Sequence, residues 1–246
     1  MKATGMKAIN TCPAGQIKGF IETSFSDWPG KVSAVIFLSG CNLRCPYCHN
    51  YTLVLAAHSY ATISRQWIAS RLHEFADWID GIVISGGEPC LCPQLPQLIR
   101  FFRNLSYPVK LDTNGTKPDV LAALLEDNLL DYVAMDMKAP LDDIRYSRCA
   151  GVPQSVSPIR KSLSILAQSK IDYELRMTVC PTLTTKDDIQ DLARQIKGVK
   201  RFVLQGFNPK DPLVPELKKV APYNREEMLE FQGILKDYVG ECRVVG

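Results

Sequence analysis

No apolar stretch of this 246-residue chain approaches the roughly eighteen residues that mark a membrane span, and its amino terminus lacks the apolar core of a secretory signal. A cytoplasmic location is the expectation. Charge of one sign is missing too: 29 Lys and Arg against 26 Asp and Glu leave a formal net charge of +3, which gives no electrostatic case for nucleic acid or an anionic membrane as partner. No internal repeat or low-complexity tract interrupts the chain. Histidine is scarce, and His58 and His73 have no partner at metal-ligand spacing, so surface or helix roles are expected for them. A hydrophobic content of 46% over this length is enough for one sizeable core, so residues 1–246 are read as a single domain, with 1–15 a flexible amino-terminal extension.

Cysteine is plentiful. In a reducing compartment nine cysteines read as thiols with metal or redox chemistry, not as a disulfide framework. Three fall within eight residues, Cys41-Asn42-Leu43-Arg44-Cys45-Pro46-Tyr47-Cys48. Three thiolates can hold a four-iron cluster and leave one iron open, whereas ferredoxin patterns add a fourth cysteine that saturates the set. No fourth cysteine follows Cys48 closely. Structural zinc, which wants four ligands, is the second reading, because Cys45 and Cys48 make only one pair. Three thiols without metal are the third. Cys90 and Cys92, with Cys149 or Cys180, offer an auxiliary metal site as an alternative to unligated thiols, the reading preferred here.

Short β-type runs recur at 32–38, 82–85, 109–112, 132–136, 173–179 and 202–205, separated mostly by helical patterns, and this alternation predicts a parallel sheet. Ile68, Leu72, Phe75 and Ile79 form one helical stripe, and Leu95, Leu98, Ile99 and Phe102 another. Thr185 with Asp188 and Asn224 with Glu227 suit helix starts, while Gly198 and Gly240 suit helix ends, which places the last helix at 225–239. The run 242–245 is short for a strand but compatible with one. Six βα units are fewer than a closed barrel needs, so an α/β fold with a partial (β/α)6 barrel fits the count.

The cysteine spacing after an apolar strand resembles the signature of radical S-adenosylmethionine (radical SAM) enzymes, whose usual architecture is also a partial barrel. Lys18 to Ser24, Asp27-Trp28-Pro29-Gly30-Lys31 and Cys48-His49-Asn50 resemble the activating enzymes of glycyl radical enzymes, nearest to the anaerobic ribonucleotide reductase type. The likeness covers about 16–209. It implies a [4Fe-4S] cluster on Cys41, Cys45 and Cys48, and S-adenosylmethionine chelated at the open iron. Ser85-Gly86-Gly87-Glu88-Pro89 resembles the motif for the methionyl amine, and a bulky residue at Gly87 is expected to weaken cofactor binding while sparing iron. A plain strand-to-helix turn is the simpler reading of that glycine pair.

Parallel βα folds gather reacting groups at strand ends. There Asp112 and Lys138 match family positions near the methionyl group, and Asn114, Asp136 and Met137 at the same strand ends are expected to bind the cofactor with them. Taken singly, Asp112 suits the Asn114-Gly115 turn and Lys138 a solvated charge. Glu174 and Arg176 share one strand face, where they read either as an ion pair or, for Arg176, as a contact to the sulfonium and adenosyl end. Gln205 and Asn208 fall where the family contacts adenine or ribose, although some relatives have histidine in place of Asn208. Tyr47 and His49 keep the family pattern, Tyr47 as the aromatic beside adenine. Some related activases place a small cation on positions equivalent to Asp112, Thr113 and Asp136.

The resemblance further implies a 5′-deoxyadenosyl radical that removes hydrogen from a partner's backbone glycine, and an electron donor of the flavodoxin or ferredoxin kind. Residues 27–30 match a loop near the substrate entrance. No cysteine lies between Cys48 and Ile82, so a single cluster is expected. Two other functions stay open: a radical SAM enzyme for a small deazapurine-type substrate, and a non-catalytic iron-sulfur or zinc module.

Overall fold

The computed structural model describes residues 15–246. Residues 1–14, most of the expected extension, lie outside them, while Gly15 is tied in by its N–H, which donates to the Ser39 carbonyl at 3.0 Å. The first half comprises β1 (Ile17–Ser24), β2 (Ser33–Leu38), α1 (Tyr51–Leu55), α2 (Arg65–Glu74), β3 (Gly81–Gly86), α3 (Leu95–Arg103), β4 (Val109–Thr113) and α4 (Pro118–Glu126). The second comprises β5 (Tyr132–Asp136), α5 (Asp143–Ala150), α6 (Ser157–Gln168), β6 (Asp172–Val179), α7 (Lys186–Gln195), β7 (Arg201–Gly206), α8 (Arg225–Lys236) and β8 (Glu241–Val245).

All eight strands form one sheet in sequence order, parallel from β2 to β8, with β1 antiparallel on β2. The order ends on β1 and β8 without a pairing between them, so the barrel is partial. The six anticipated strands appear within one residue of their expected limits, and the terminal run pairs with β7 as a further parallel strand. Strand β1 was not anticipated. Gly19, Lys18 and Glu22 break its apolar alternation, and its pairing with β2 shifts register twice. Lys18 is nevertheless buried, its Nζ donating to the Tyr60 carbonyl and to Thr62 Oγ1, both at 2.9 Å.

Alternation along the strands sorts the core. Outward side chains, among them Ile36, Ile84, Leu111, Met135, Leu175 and Leu204, are fully buried under the crossover helices. The expected stripe on α3 is buried in full, but α2 stops at Glu74. Phe75 caps it and Ile79 packs from the turn beyond. Both anticipated capping boxes form, at Thr185 with Asp188 and Asn224 with Glu227. Helix α8 ends at Lys236, three residues before the expected limit, because the turn that follows joins the neighbouring connection: the Tyr238 carbonyl accepts from Gly198 N–H and Gly240 N–H donates to Val199.

The inner face differs. Trp28 packs with Val35, Val83 and Tyr132 and plugs the interior near the amino ends of the strands, its ring 6.1 Å from that of Tyr132. Gly81 backs onto it so closely that a Cβ there would lie 2.8 Å from the indole. Above this plug the inward positions turn polar. Among the described residues, no helix is long and apolar enough to cross a membrane.

Candidate active site

The cysteine loop leaves β2 and is fastened on several sides. Gly40 N–H donates to Leu53 at 3.0 Å, Arg44 N–H to Ala150 at 2.8 Å, and the Arg44 guanidinium to the Cys41 and Leu43 carbonyls at 2.7 Å each. Asn114 Nδ2 donates to Asn42 Oδ1 at 3.0 Å and Asn42 Nδ2 to Thr116 Oγ1 at 2.9 Å, which couples the loop to the end of β4. From the other side come Gly86 and Gly87. Gly86 has φ +117°, and a Cβ there would lie 2.3 Å from Leu38 O; a Cβ on Gly87 would lie 2.0 Å from Gly40 O. The glycine pair is therefore the seat of the cysteine loop as well as a lining of the site, and its neighbour Asn50 donates to Gly86 O at 3.2 Å.

Cys41, Cys45 and Cys48 wall one cavity of about 370 Å³, together with residues at the carboxyl ends of β2 to β7. Burial raises all three thiols, Cys41 to about 11, where nearby Glu88 adds to the effect. Leu43 N–H and Asn114 Nδ2 point at Cys41 Sγ, at 3.4 and 3.8 Å. Among the described residues no three His, Cys, Asp or Glu side chains are grouped as ligands of a single metal ion. Three soft donors spread around one cavity suit a multi-iron cluster better than one tetrahedral zinc. The remaining described cysteines are free and do not line this cavity.

Across from the thiols lies a set of ion pairs. Asp112 Oδ1 accepts from Lys110 Nζ at 2.6 Å, and its Oδ2 from Arg176 at 3.2 Å and Ser85 Oγ at 3.1 Å. Arg176 Nε also donates to Asp136 Oδ1 at 3.0 Å, and Lys138 Nζ to Asp136 Oδ2 at 3.1 Å. Burial alone would raise both carboxyls. Arg176 and Lys110 outweigh it at Asp112, and Lys138 and Arg176 at Asp136, which is held at about 2. Burial would likewise lower Lys138 and Arg176, but the aspartates beside them push both upward. Each carboxylate in the set is matched by at least two donors.

Tyr47, His49, Gly86, Gly87, Asp112, Asn114, Asp136, Lys138, Arg176 and Gln205 line the cavity, with Asp27 of the 27–30 loop. Tyr47 Oη is buried without a hydrogen-bond partner. Three anticipated residues lie elsewhere. Glu88 is buried behind the wall and accepts from Thr113 Oγ1 and Asn114 N–H, both at 2.7 Å, and from Cys90 N–H at 3.0 Å; it braces the loop. Met137 is buried in the core, and Asn208 is exposed beside the cavity, where its carbonyl meets His49 Nε2 at 2.8 Å. Glu174 and Arg176 do share a face but do not pair: Glu174 meets Tyr132 Oη at 3.2 Å and Arg243 at 3.5 Å. Lys138 is paired, not solvated, and Asp112 holds Lys110 and Arg176, not the Asn114-Gly115 turn. Lys110 escaped the sequence reading as a site residue, although inward alternation with Asp112 marks it.

The sequence profile of the Radical SAM superfamily matches residues 35–196. A protein of Methanocaldococcus jannaschii, provisionally named a glycyl-radical enzyme activating enzyme, is 34% identical over 228 residues, covering 91% of this chain and 92% of that one. The pyruvate formate-lyase-activating enzyme of Clostridium pasteurianum is 28% identical, covering 91% and 88%. Among solved structures, Streptococcus suis SuiB bound to its precursor peptide SuiA superposes with a TM-score of 0.63 at 15% identity over 86% of this chain, which spans 48% of that one. That likeness speaks for the fold. The chain belongs to the radical SAM superfamily and, within it, to the family of glycyl-radical enzyme activating enzymes.

Proposed function

We propose that this radical SAM enzyme activates a glycyl radical enzyme by removing hydrogen from one of its backbone glycines, and that the partner is an anaerobic ribonucleotide reductase. The observation that carries the reading is the shared cavity, in which three thiols face the glycine pair and the ion-paired ends of β4, β5 and β6. Cys41, Cys45 and Cys48 would hold a [4Fe-4S] cluster and the same cavity S-adenosylmethionine. When bound, the cluster supplies the electron that splits the sulfonium into methionine and a 5′-deoxyadenosyl radical.

The chain's own residues place and shield the reactants. Gly86 and Gly87 bring backbone, with no side chain of their own, to the cavity wall where the methionyl amine would lie. The Lys138 ammonium and Arg176 guanidinium offer charge-assisted bonds to the methionyl carboxylate. Tyr47 and Gln205 line the side left for the adenosyl group, and the His49 contact to the Asn208 carbonyl clasps the cysteine loop to the loop after β7. Trp28 keeps solvent out from below. Asp27, whose carboxylate accepts from Ser24 Oγ, lines the cavity from the 27–30 loop, on the side assigned to the partner's glycine.

The ribonucleotide reductase assignment rests on the motif likeness at 18–24, 27–31 and 48–50. A flavodoxin or ferredoxin would supply electrons, and the protein would work as one radical SAM domain in an oxygen-poor cytoplasm. Anaerobic incubation of reconstituted protein with reductant, S-adenosylmethionine and candidate partners, read by electron paramagnetic resonance, tests the reading. A glycyl radical signal in the reductase is expected. A signal only in a formate-lyase-type partner would reassign the partner, and silence in every candidate alongside continued 5′-deoxyadenosine formation would point to a small-molecule substrate.

A further inference from the structure

Every side-chain oxygen that the family resemblance offers to a small cation already accepts at least one hydrogen bond from the protein's own donors. Both oxygens of Asp112 accept hydrogen bonds, from Lys110 on one and from Arg176 and Ser85 on the other, and Asp136 divides its oxygens between Arg176 and Lys138. Thr113 Oγ1 donates to Glu88 at 2.7 Å and accepts from Gly115 N–H at 3.2 Å. A hard cation needs several free oxygen lone pairs directed at one point. Here two aspartates are shared among three protein cations, Lys110, Lys138 and Arg176, so little of their negative charge is left to bind a metal ion. The residues do not fit a bound metal cation.

Lys110 is the unexpected member. Its side chain is fully buried and does not line the cavity; its Nζ lies 2.6 Å from Asp112 Oδ1 and 5.9 Å from the centre of the Tyr132 ring. An ammonium is costly to bury unless its partner is fixed, and it fixes that partner in return. We propose that Lys110 is a positioning residue that stands in for the cation: it anchors the Asp112 carboxylate from beneath, so that Asp112 and Arg176 hold a set orientation toward the methionyl end of S-adenosylmethionine. The proposal rests on the cavity binding that cofactor. It predicts an enzyme that binds S-adenosylmethionine without alkali or alkaline-earth ions, and a Lys110→Met variant that has acquired a need for them.

The test is equilibrium binding of S-adenosylmethionine to anaerobically cluster-loaded protein in a tetramethylammonium buffer, repeated with added Na⁺, K⁺, Mg²⁺ or Ca²⁺. Wild-type Kd should change less than about twofold, while Lys110→Met should bind about tenfold or more weakly without metal ions and recover most of the loss with one of them. Tightening of the wild-type Kd by about tenfold on adding any of these ions overturns the proposal. So does a Lys110→Met variant that binds like wild type in tetramethylammonium, or one whose loss no ion repairs, since that would mark a purely structural lysine. If the variant does not fold, the wild-type titration alone decides. Failure of the wild type to bind the cofactor in any salt would instead remove the reading of the cavity on which the proposal depends.

Discussion

The two faces of one sheet show how the molecule separates folding from chemistry. On β4, Val109 and Leu111 face outward into the apolar core, while Lys110 and Asp112, equally removed from water, face inward and form an ion pair. The same split runs through β5 and β6, with Val133, Met135 and Leu175 outside and Asp136 and Arg176 inside. Outward positions stabilise by burial, which is additive and indifferent to ligand. The inward positions of Lys110, Asp112, Asp136 and Arg176 are held by mutual charge, which is directional and suited to a charged ligand. On β4 burial does not distinguish the faces; the partner atoms do.

Breaking the inner face at its most consequential point should have the largest effect. Cys45→Ala should abolish the iron content and visible absorbance of anaerobically reconstituted protein, and cofactor cleavage with them, while the apo-protein stays folded. Persistence of both signals would contradict the iron assignment. Next in size is the outer face: Ile84→Ala should lower stability by about 2–5 kcal/mol, roughly 5–15 °C in Tm, and leave the Kd for S-adenosylmethionine within about twofold. Calorimetry and binding together would show whether the faces are as independent as alternation suggests.

Arg176→Met should do the reverse. It removes one guanidinium shared by Asp112 and Asp136 and should weaken cofactor binding by about a hundredfold, near 2–3 kcal/mol. An unchanged Kd would show that Arg176 braces the strands without facing the ligand. The smallest effect is on pH dependence. Asp136 is held at about 2 against 3.8 for the free side chain, so its stabilisation is complete above the higher value and is lost as pH falls through the lower one. The stability gap between wild type and Asp136→Asn, followed by urea unfolding, should narrow by up to about 2 kcal/mol as pH falls from about 4 to about 2.

Much of this was legible in the sequence because it is local. The inner strands are short apolar runs with clear ends, the capping boxes are read within four residues, and the cysteine loop announces itself. What escaped depends on distant neighbours. Strand β1 owes its place to pairing with β2, since its own pattern is broken by Lys18, Gly19 and Glu22. Glu88 belongs to a recognisable motif, yet its carboxylate is taken by amides and a hydroxyl from residues 90 to 114, and nothing in the motif says so. His49 and Asn208 meet across 159 residues. Gly87 reads as a cofactor contact, but its 2.0 Å allowance against Gly40 means that a bulky residue there would displace the cysteine loop, so iron as well as cofactor should be lost. Lys110 was within reach, because a strand containing Asp112 places residue 110 on the same face.

The transfer of hydrogen from glycine to the adenosyl group is the step that gives the molecule its function, and isotope labelling follows it directly. With a ribonucleotide reductase partner deuterated at its glycine α-carbons, mass spectrometry of the 5′-deoxyadenosine formed in one anaerobic turnover should show one added deuterium. Unlabelled 5′-deoxyadenosine produced in the presence of that partner would contradict the account.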